Sequence, residues 1–281
     1  MNFKFLAESL HQTANAAQKY FQKYWAIPLA GFKPEEKIHK NVGMAPTLWA
    51  KTPDHHILCV DVAEVIYRPV LDEFVLDCKH NDLPVKLFVA VPKNVTDRDY
   101  GANRNKAQNR GVGILEIDTD GEANIVQQSL SLSLTNVRPI DPLDFPPAYR
   151  LAVSNSYEQF RQGHPVNACH EIAGQIESHT RTIAERLSKR GLWPAPVAIN
   201  FKTHSWRSLL ELLIKHCQSL QARHPNLTVD MLSQIVGIVP QRNQSGHVVK
   251  DTATLIRRDR ELRTRFENMG DILREFTKAT K

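Results

Sequence analysis

The chain has no Cys-x-x-Cys pair, no long apolar run and no glycine-rich phosphate loop. Each absence removes a class of function. Cys59, Cys78, Cys169 and Cys217 are scattered through 281 residues. Such spacing fits neither a disulfide frame nor a zinc knuckle, and reads as reduced, buried thiols in a cytoplasmic protein. Twelve histidines include the pair His55-His56, but none forms a His-x-x-x-His ligand pair. No structural metal and no cofactor are therefore expected. No stretch is apolar for long enough to span a membrane. At the N-terminus Glu8 and His11 interrupt the apolar run, so no signal peptide is expected. No internal repeat is visible.

What is present suits a folded protein of two modest domains or one large one. Apolar residues make up 42% of the chain, enough for proper cores and too many for disorder. The net charge is +6 and the isoelectric point is near 9.1. A polyanionic partner is permitted by that balance, though not demanded.

Along the first half, Phe3, Leu6, Leu10, Ala14, Ala17, Phe21 and Trp25 recur at helical spacing, so residues 3–25 read as a helix ended by Pro28. Residues 29–46 read as polar and irregular. The run from Ile57 to Val65 is short and β-branched, the mark of a buried strand. A helix is predicted over 68–82, a strand over 86–92, a short polar helix over 102–110 and a strand over 111–118. Alternation of this kind implies parallel strands with right-handed crossovers. Residues 122–137 add an edge strand.

The strand ending Val89-Ala90-Val91-Pro92, then a short helix and the strand from Gly111 to Asp118, resembles the restriction-endonuclease-like fold, the PD-(D/E)xK group. The resemblance covers roughly residues 1–135 and implies an α/β domain with a mixed sheet over 1–137. That family needs an acid and then (D/E)-x-K on the next strand, so that two carboxylates hold Mg²⁺ and a lysine assists water. Here Pro53-Asp54 is followed by Asp61-Val62-Ala63-Glu64. Ala63 stands where the lysine should be, and Asp54 lies close to Asp61, in a hairpin turn. The resemblance thus implies a degenerate, non-cleaving copy. Asp54, Asp61 and Glu64 are the acids left to hold a metal in the weaker alternative. An unrelated Rossmann-like unit lacks its expected glycine loop.

Residues 138–148 carry four prolines, a stiff linker and a natural boundary. Beyond it the chain reads as all-helical over 149–281. Helices are predicted at 149–161, 165–189, 203–223 and 228–239, with a fifth from Ser245 to about Phe276. Leu255, Leu262, Phe266, Met269, Leu273 and Phe276 form an apolar seam on that last helix. Arg257, Arg258, Arg260, Arg263 and Arg265 cover its other faces. Such a run is usually solvated, but it can also track an RNA backbone.

Between the last two helices stands Pro240-Gln241-Arg242-Asn243-Gln244-Ser245-Gly246-His247. Pro240 is expected to end one helix and Ser245 to cap the next. His247 would then lie in a first helical turn, where free N–H groups hold phosphate and favour a neutral ring. Arg242 can fork two donors onto phosphate. The stretch resembles the R-x(4–6)-H motif of the HEPN superfamily, compact helical domains of which many are metal-independent ribonucleases. A polar residue after the arginine, here Asn243, fits that pattern.

The resemblance implies an endoribonuclease of toxin or phage-defence type acting on RNA. His247 would be base or acid, Arg242 the cation on the phosphorane, and Asn243 an orienting group. One Arg–His pair is thin for three tasks, and the family generally forms dimers that bring two motifs together. A homodimer through the helical half is expected, with the seam as its surface. Glu171 or Glu177 would hold His247 in one tautomer. A neutralising or sensing partner also fits that class, whereas a membrane partner does not. Two other classes stay open: a non-catalytic adaptor that binds nucleic acid or a nucleotide, and a Mg²⁺-dependent DNA nuclease.

Overall fold

The computed structural model describes residues 3–93, 99–189, 204–221, 224–242 and 249–281, apart from the side chains of residues 241 and 242. The chain divides into two compact units, Met1–Asn136 with Val248–Arg260, and Val137–His247 with Glu261–Lys281.

In the first unit, a short 3-10 turn leads into α1 (His11–Tyr24). Strands β1 (Lys33–Pro34), β2 (Leu48–Lys51) and β3 (Ile57–Val62) follow. Next come α2 (Val70–His80), β4 (Val85–Pro92) and α3 (Tyr100–Arg110). Strands β5 (Gly113–Ile117) and β6 (Ala123–Gln127) complete a mixed sheet of six described strands in the order of the chain. β2 runs antiparallel to β1 and β3; β3, β4 and β5 are parallel; β6 returns antiparallel.

Every residue of β3 is buried because helices cover both faces of the sheet. Leu58, Val60 and Val62 point with Phe88 and Ala90 to the core formed by Ala14, Ala17 and Phe21 of α1. Ile57 and Cys59 point the other way, with Leu87 and Val89, to Leu71, Phe74 and Cys78 of α2 and Ala107 of α3. This alternation is the period of two that a strand imposes. Close approach also fixes Gly113: a Cβ there would lie 2.5 Å from the Phe88 ring and 2.8 Å from the Ser129 nitrogen. Gly111 closes α3 with φ near 78°, a conformation that costs a side-chain-bearing residue energy.

The parallel core predicted from the sequence is present. β1 falls in the stretch 29–46 read as irregular and β2 just beyond it, where no strand is read; both are too short to show alternation. α1 starts at His11, so the predicted helix over 3–25 was too long at its start.

The second unit is helical: α4 (Pro147–Arg161), α5 (Pro165–Lys189), α6 (Trp206–Lys215), α7 (Cys217–Gln221) and α8 (Val229–Arg242). α9 (Thr252–Ala279) gives its residues to Arg260 to the first unit and the rest to the second. α5 buries Ala168, Ile172, Ile176, Ile183 and Leu187, all on one face, as its periodicity predicts. Phe160 meets Phe266 with ring centroids 4.8 Å apart. The helix expected over 203–223 is broken at His216.

Three expectations are corrected here. Pro240 lies inside α8, which runs on to Arg242. A proline in the last turn removes one backbone bond, and two more residues still fit. α9 begins at Thr252, capped by Asp251, whose carboxylate accepts the Thr254 N–H at 2.7 Å. Ser245 is therefore not its cap, and His247 is not in its first turn. The seam Leu262–Phe276, expected at a dimer surface, is buried within the chain: Phe266, Leu273 and Phe276 are wholly inaccessible. The helical boundary also differs from 149–281, because Val248–Arg260 belong to the sheet unit. Residues 138–146 of the linker are fastened within the helical unit. Arg138 donates from its backbone to Glu267 at 2.8 Å and pairs with Asp271.

Candidate functional site

The Arg-Asn-x-x-x-His stretch starts on described backbone and then leaves it. Arg242 is the last residue of α8, while Asn243 and His247 lie outside the described residues. The helix that carries it is anchored in the unit. Leu232 and Ile235 are buried, and α8 packs on α5 and α6.

The two acids expected to support His247 have other engagements on α5. Glu171 accepts a hydrogen bond from Gln159 at 3.2 Å. Glu177 accepts two from Arg181, at 2.6 and 3.1 Å. Arg181 in turn donates to the His204 carbonyl at 3.0 Å. These contacts tie α5 to α4 and to the start of α6.

Of the arginine run expected on RNA, Arg257, Arg258 and Arg260 fall in the sheet unit, whereas Arg263 and Arg265 fall in the helical unit. Arg257 is exposed. Arg258 is half-buried and lies 3.3 Å from the carboxylate of Asp259. Arg260 donates to Asp82 at 2.9 Å. Asp259 itself is 1% exposed and accepts from Ser133 at 2.7 Å. A buried carboxylate without such partners would cost several kcal/mol, so this arrangement reads as structure, not catalysis.

The acids of the weaker alternative do not converge. Asp54 sits in the β2–β3 hairpin turn, where Thr52 donates to it, Lys86 approaches at 3.2 Å and His56 Nδ1 at 3.0 Å. Those partners, the His56 bond foremost, hold its carboxyl well below the ordinary range. Asp61 lies near the other end of β3. The steps from Ile57 to Asp61 put about 13 Å of strand between them. Asp61 is buried and paired with Arg68, just before α2. Burial pushes its carboxyl up, against the pull of Arg68 and Thr47. Glu64 is exposed, within 3.4 Å of the Ser9 hydroxyl. Among the described residues no three His, Cys, Asp or Glu side chains gather as a metal site. Arg68 is the residue that the sequence reading missed. Its spacing of seven from Asp61, across a turn, carries no motif.

A second group missed in the sequence is buried in the helical unit. Thr280 donates its hydroxyl proton to the Phe276 carbonyl at 2.8 Å, so its oxygen accepts from His179 Nε2 at 2.7 Å. His179 Nδ1 is then bare and accepts the Tyr149 hydroxyl at 2.7 Å. The ring is thus neutral, with its proton on Nε2. Burial, reinforced by Arg186, lowers its pKa to about 4.

Set against models of known protein families, curated proteins and solved structures, the chain matches none.

Proposed function

We propose that the protein is a metal-independent endoribonuclease whose working groups are Arg242, Asn243 and His247, contributed twice in a homodimer. The observation that carries this reading is the placement of Arg242. It ends a well-anchored helix of an all-helical unit, and the connecting stretch after it holds the only sequence pattern in the chain with a ready phosphate chemistry. Arg242 forks onto the phosphate, and His247 moves the 2′-hydroxyl or leaving-group proton. Asn243 orients one of them. The dimer rests on the need for a second acid–base group; the buried seam lends it no support.

The mixed sheet, with one antiparallel meander before three parallel strands, supports the reading of the first unit as a restriction-endonuclease-like fold. Asp61 closed off by Arg68 supports a copy that does not cleave.

The test is incubation of purified protein with a labelled RNA, with and without EDTA. Cleavage should survive EDTA and be lost in folded Arg242→Ala and His247→Ala proteins. Wild-type cleavage by folded His247→Ala would overturn the proposal in favour of the adaptor reading. Cleavage abolished by EDTA would do so in favour of a metal nuclease.

A further inference from the structure

One helix of the sheet unit is built unlike the others. α3 buries a single residue, Ala107, and leaves nearly all the rest of its surface open. A helix in a globular domain ordinarily buries a stripe about 100° wide. Tyr100 packs partly beside Ala107, and its hydroxyl donates to Glu116 on the strand beneath at 2.7 Å. At 100° per residue, Asn105, Lys106, Gln108 and Asn109 fall on the side away from Ala107, with Arg104 and Arg110 flanking them. All six are exposed.

The charge on this helix is also one-sided. Tyr100–Arg110 contains two arginines, one lysine and no acid. On four other helices cations are paired one turn away, Arg161 with Glu158, Arg181 with Glu177, Lys189 with Glu185, Arg207 with Glu211 and Arg274 with Asp271, while α1, with Lys19 and Lys23, likewise holds no acid. On α3 only Arg110 has a carboxylate partner, Asp72 of α2 at 2.7 Å. Arg104 and Lys106 have none among the described residues.

We propose that the outer face of α3 binds single-stranded RNA, with Arg104 and Lys106 on phosphates and Asn105, Gln108 and Asn109 on sugar and base edges. Unpaired cations beside amides fit a polyanion that also offers hydrogen-bond donors and acceptors. Two free cations among several amides match the lower charge density of an unpaired strand better than that of a duplex. The face is remote in sequence from Arg242 and His247, so this inference does not depend on the proposed cleavage.

The experiment uses full-length His247→Ala protein, in which cleavage plays no part, and a short fluorescein-labelled single-stranded RNA. Anisotropy is followed from 50 to 200 mM salt. Adding Arg104→Gln and Lys106→Gln should weaken binding about tenfold and flatten the salt slope by about 1.4, the loss of two phosphate contacts at roughly 0.7 each. A matched pair on α5 and α6, Lys189→Gln with Arg207→Gln, should change neither. Thermal melts of the parent and the glutamine variants should coincide, since Arg104, Lys106, Lys189 and Arg207 are all exposed. The proposal is overturned if the parent binds no RNA at micromolar concentration, or if the α3 pair leaves slope and affinity unchanged. Equal loss in the control pair overturns it as well, by reducing it to net charge. Tighter binding of duplex DNA through the same two residues would overturn the choice of an unpaired strand.

Discussion

His179 makes the helical unit sensitive to acid, and the size of the effect follows from its surroundings. The ring is 7% exposed, accepts from Tyr149 and donates to Thr280, with Phe276 edge-on at 4.8 Å. Protonation would place a second hydrogen on Nδ1, where the Tyr149 proton now points, and a charge beside Arg186. The folded pKa, about 4, lies below the ordinary imidazole value of about 6.5. A depressed folded value means that the unfolded chain takes up the proton first. The stabilisation is therefore complete above pH 6.5 and disappears as pH falls toward 4. With about 1.4 kcal/mol per pH unit, the loss reaches about 2 kcal/mol at pH 5 and about 3 kcal/mol at pH 4. Urea unfolding of wild type and His179→Gln at half-unit steps from pH 7.5 to 4 reads this directly. The variant will be weaker at neutral pH, since glutamine cannot span both partners. What matters is its slope, which should be flatter by these amounts. Proton NMR of the ring gives the same quantity independently. Parallel slopes, or a ring that titrates at 6.5 in the folded protein, would refute the reasoning.

Two further outcomes follow from packing. Gly113→Ala should destabilise the sheet unit by on the order of 2–3 kcal/mol, because its Cβ would overlap the Phe88 ring and the Ser129 backbone; a melting temperature within a degree of wild type would contradict that. Phe266→Ala should cost about 3–5 kcal/mol in urea unfolding, as for other buried phenylalanines, and leave the mass by light scattering unchanged. Loss of dimer without loss of stability would instead restore the seam as a subunit surface.

The elements legible in the sequence are those whose burial is simple. β3 and β4 read as continuous apolar runs because helices cover both sheet faces. α5 reads cleanly because one stripe of it is buried over 25 residues. β2 did not: in Leu48–Lys51 three of four residues are buried, which gives no period to count. The start of α9 shows a different failure. Leu255 fits the spacing of the seam, so the sequence places the whole helix in the helical half. Yet Ile256 packs against the sheet core, and Asp259, in a run of arginines that reads as solvated, is buried against Ser133. Nothing local to Asp259 announces a partner 126 residues away. For the Arg-Asn-x-x-x-His stretch the sequence offers a motif but not the frame that carries it. Its expected frame, a helix ended at Pro240 and another begun at Ser245, is replaced by α8 running to Arg242 and α9 starting at Thr252.

In the first unit two carboxylates close in sequence are each taken up by other partners. A Mg²⁺ site needs carboxylates that converge and stay unpaired until the ion arrives. Asp61, near the end of β3, is instead paired with Arg68, a charge tethered seven residues away. That cation is always present and makes directional bonds, whereas an ion must be captured from solution and keep several waters. Asp54 is equally committed, to Thr52, His56 and Lys86, at the far end of the strand. Both carboxylates thus serve the stability of their own loops. What remains available on this unit is surface, and the least committed surface is the acid-free face of α3. On the two proposals made above, recognition would fall to the sheet unit and chemistry to the stretch after α8.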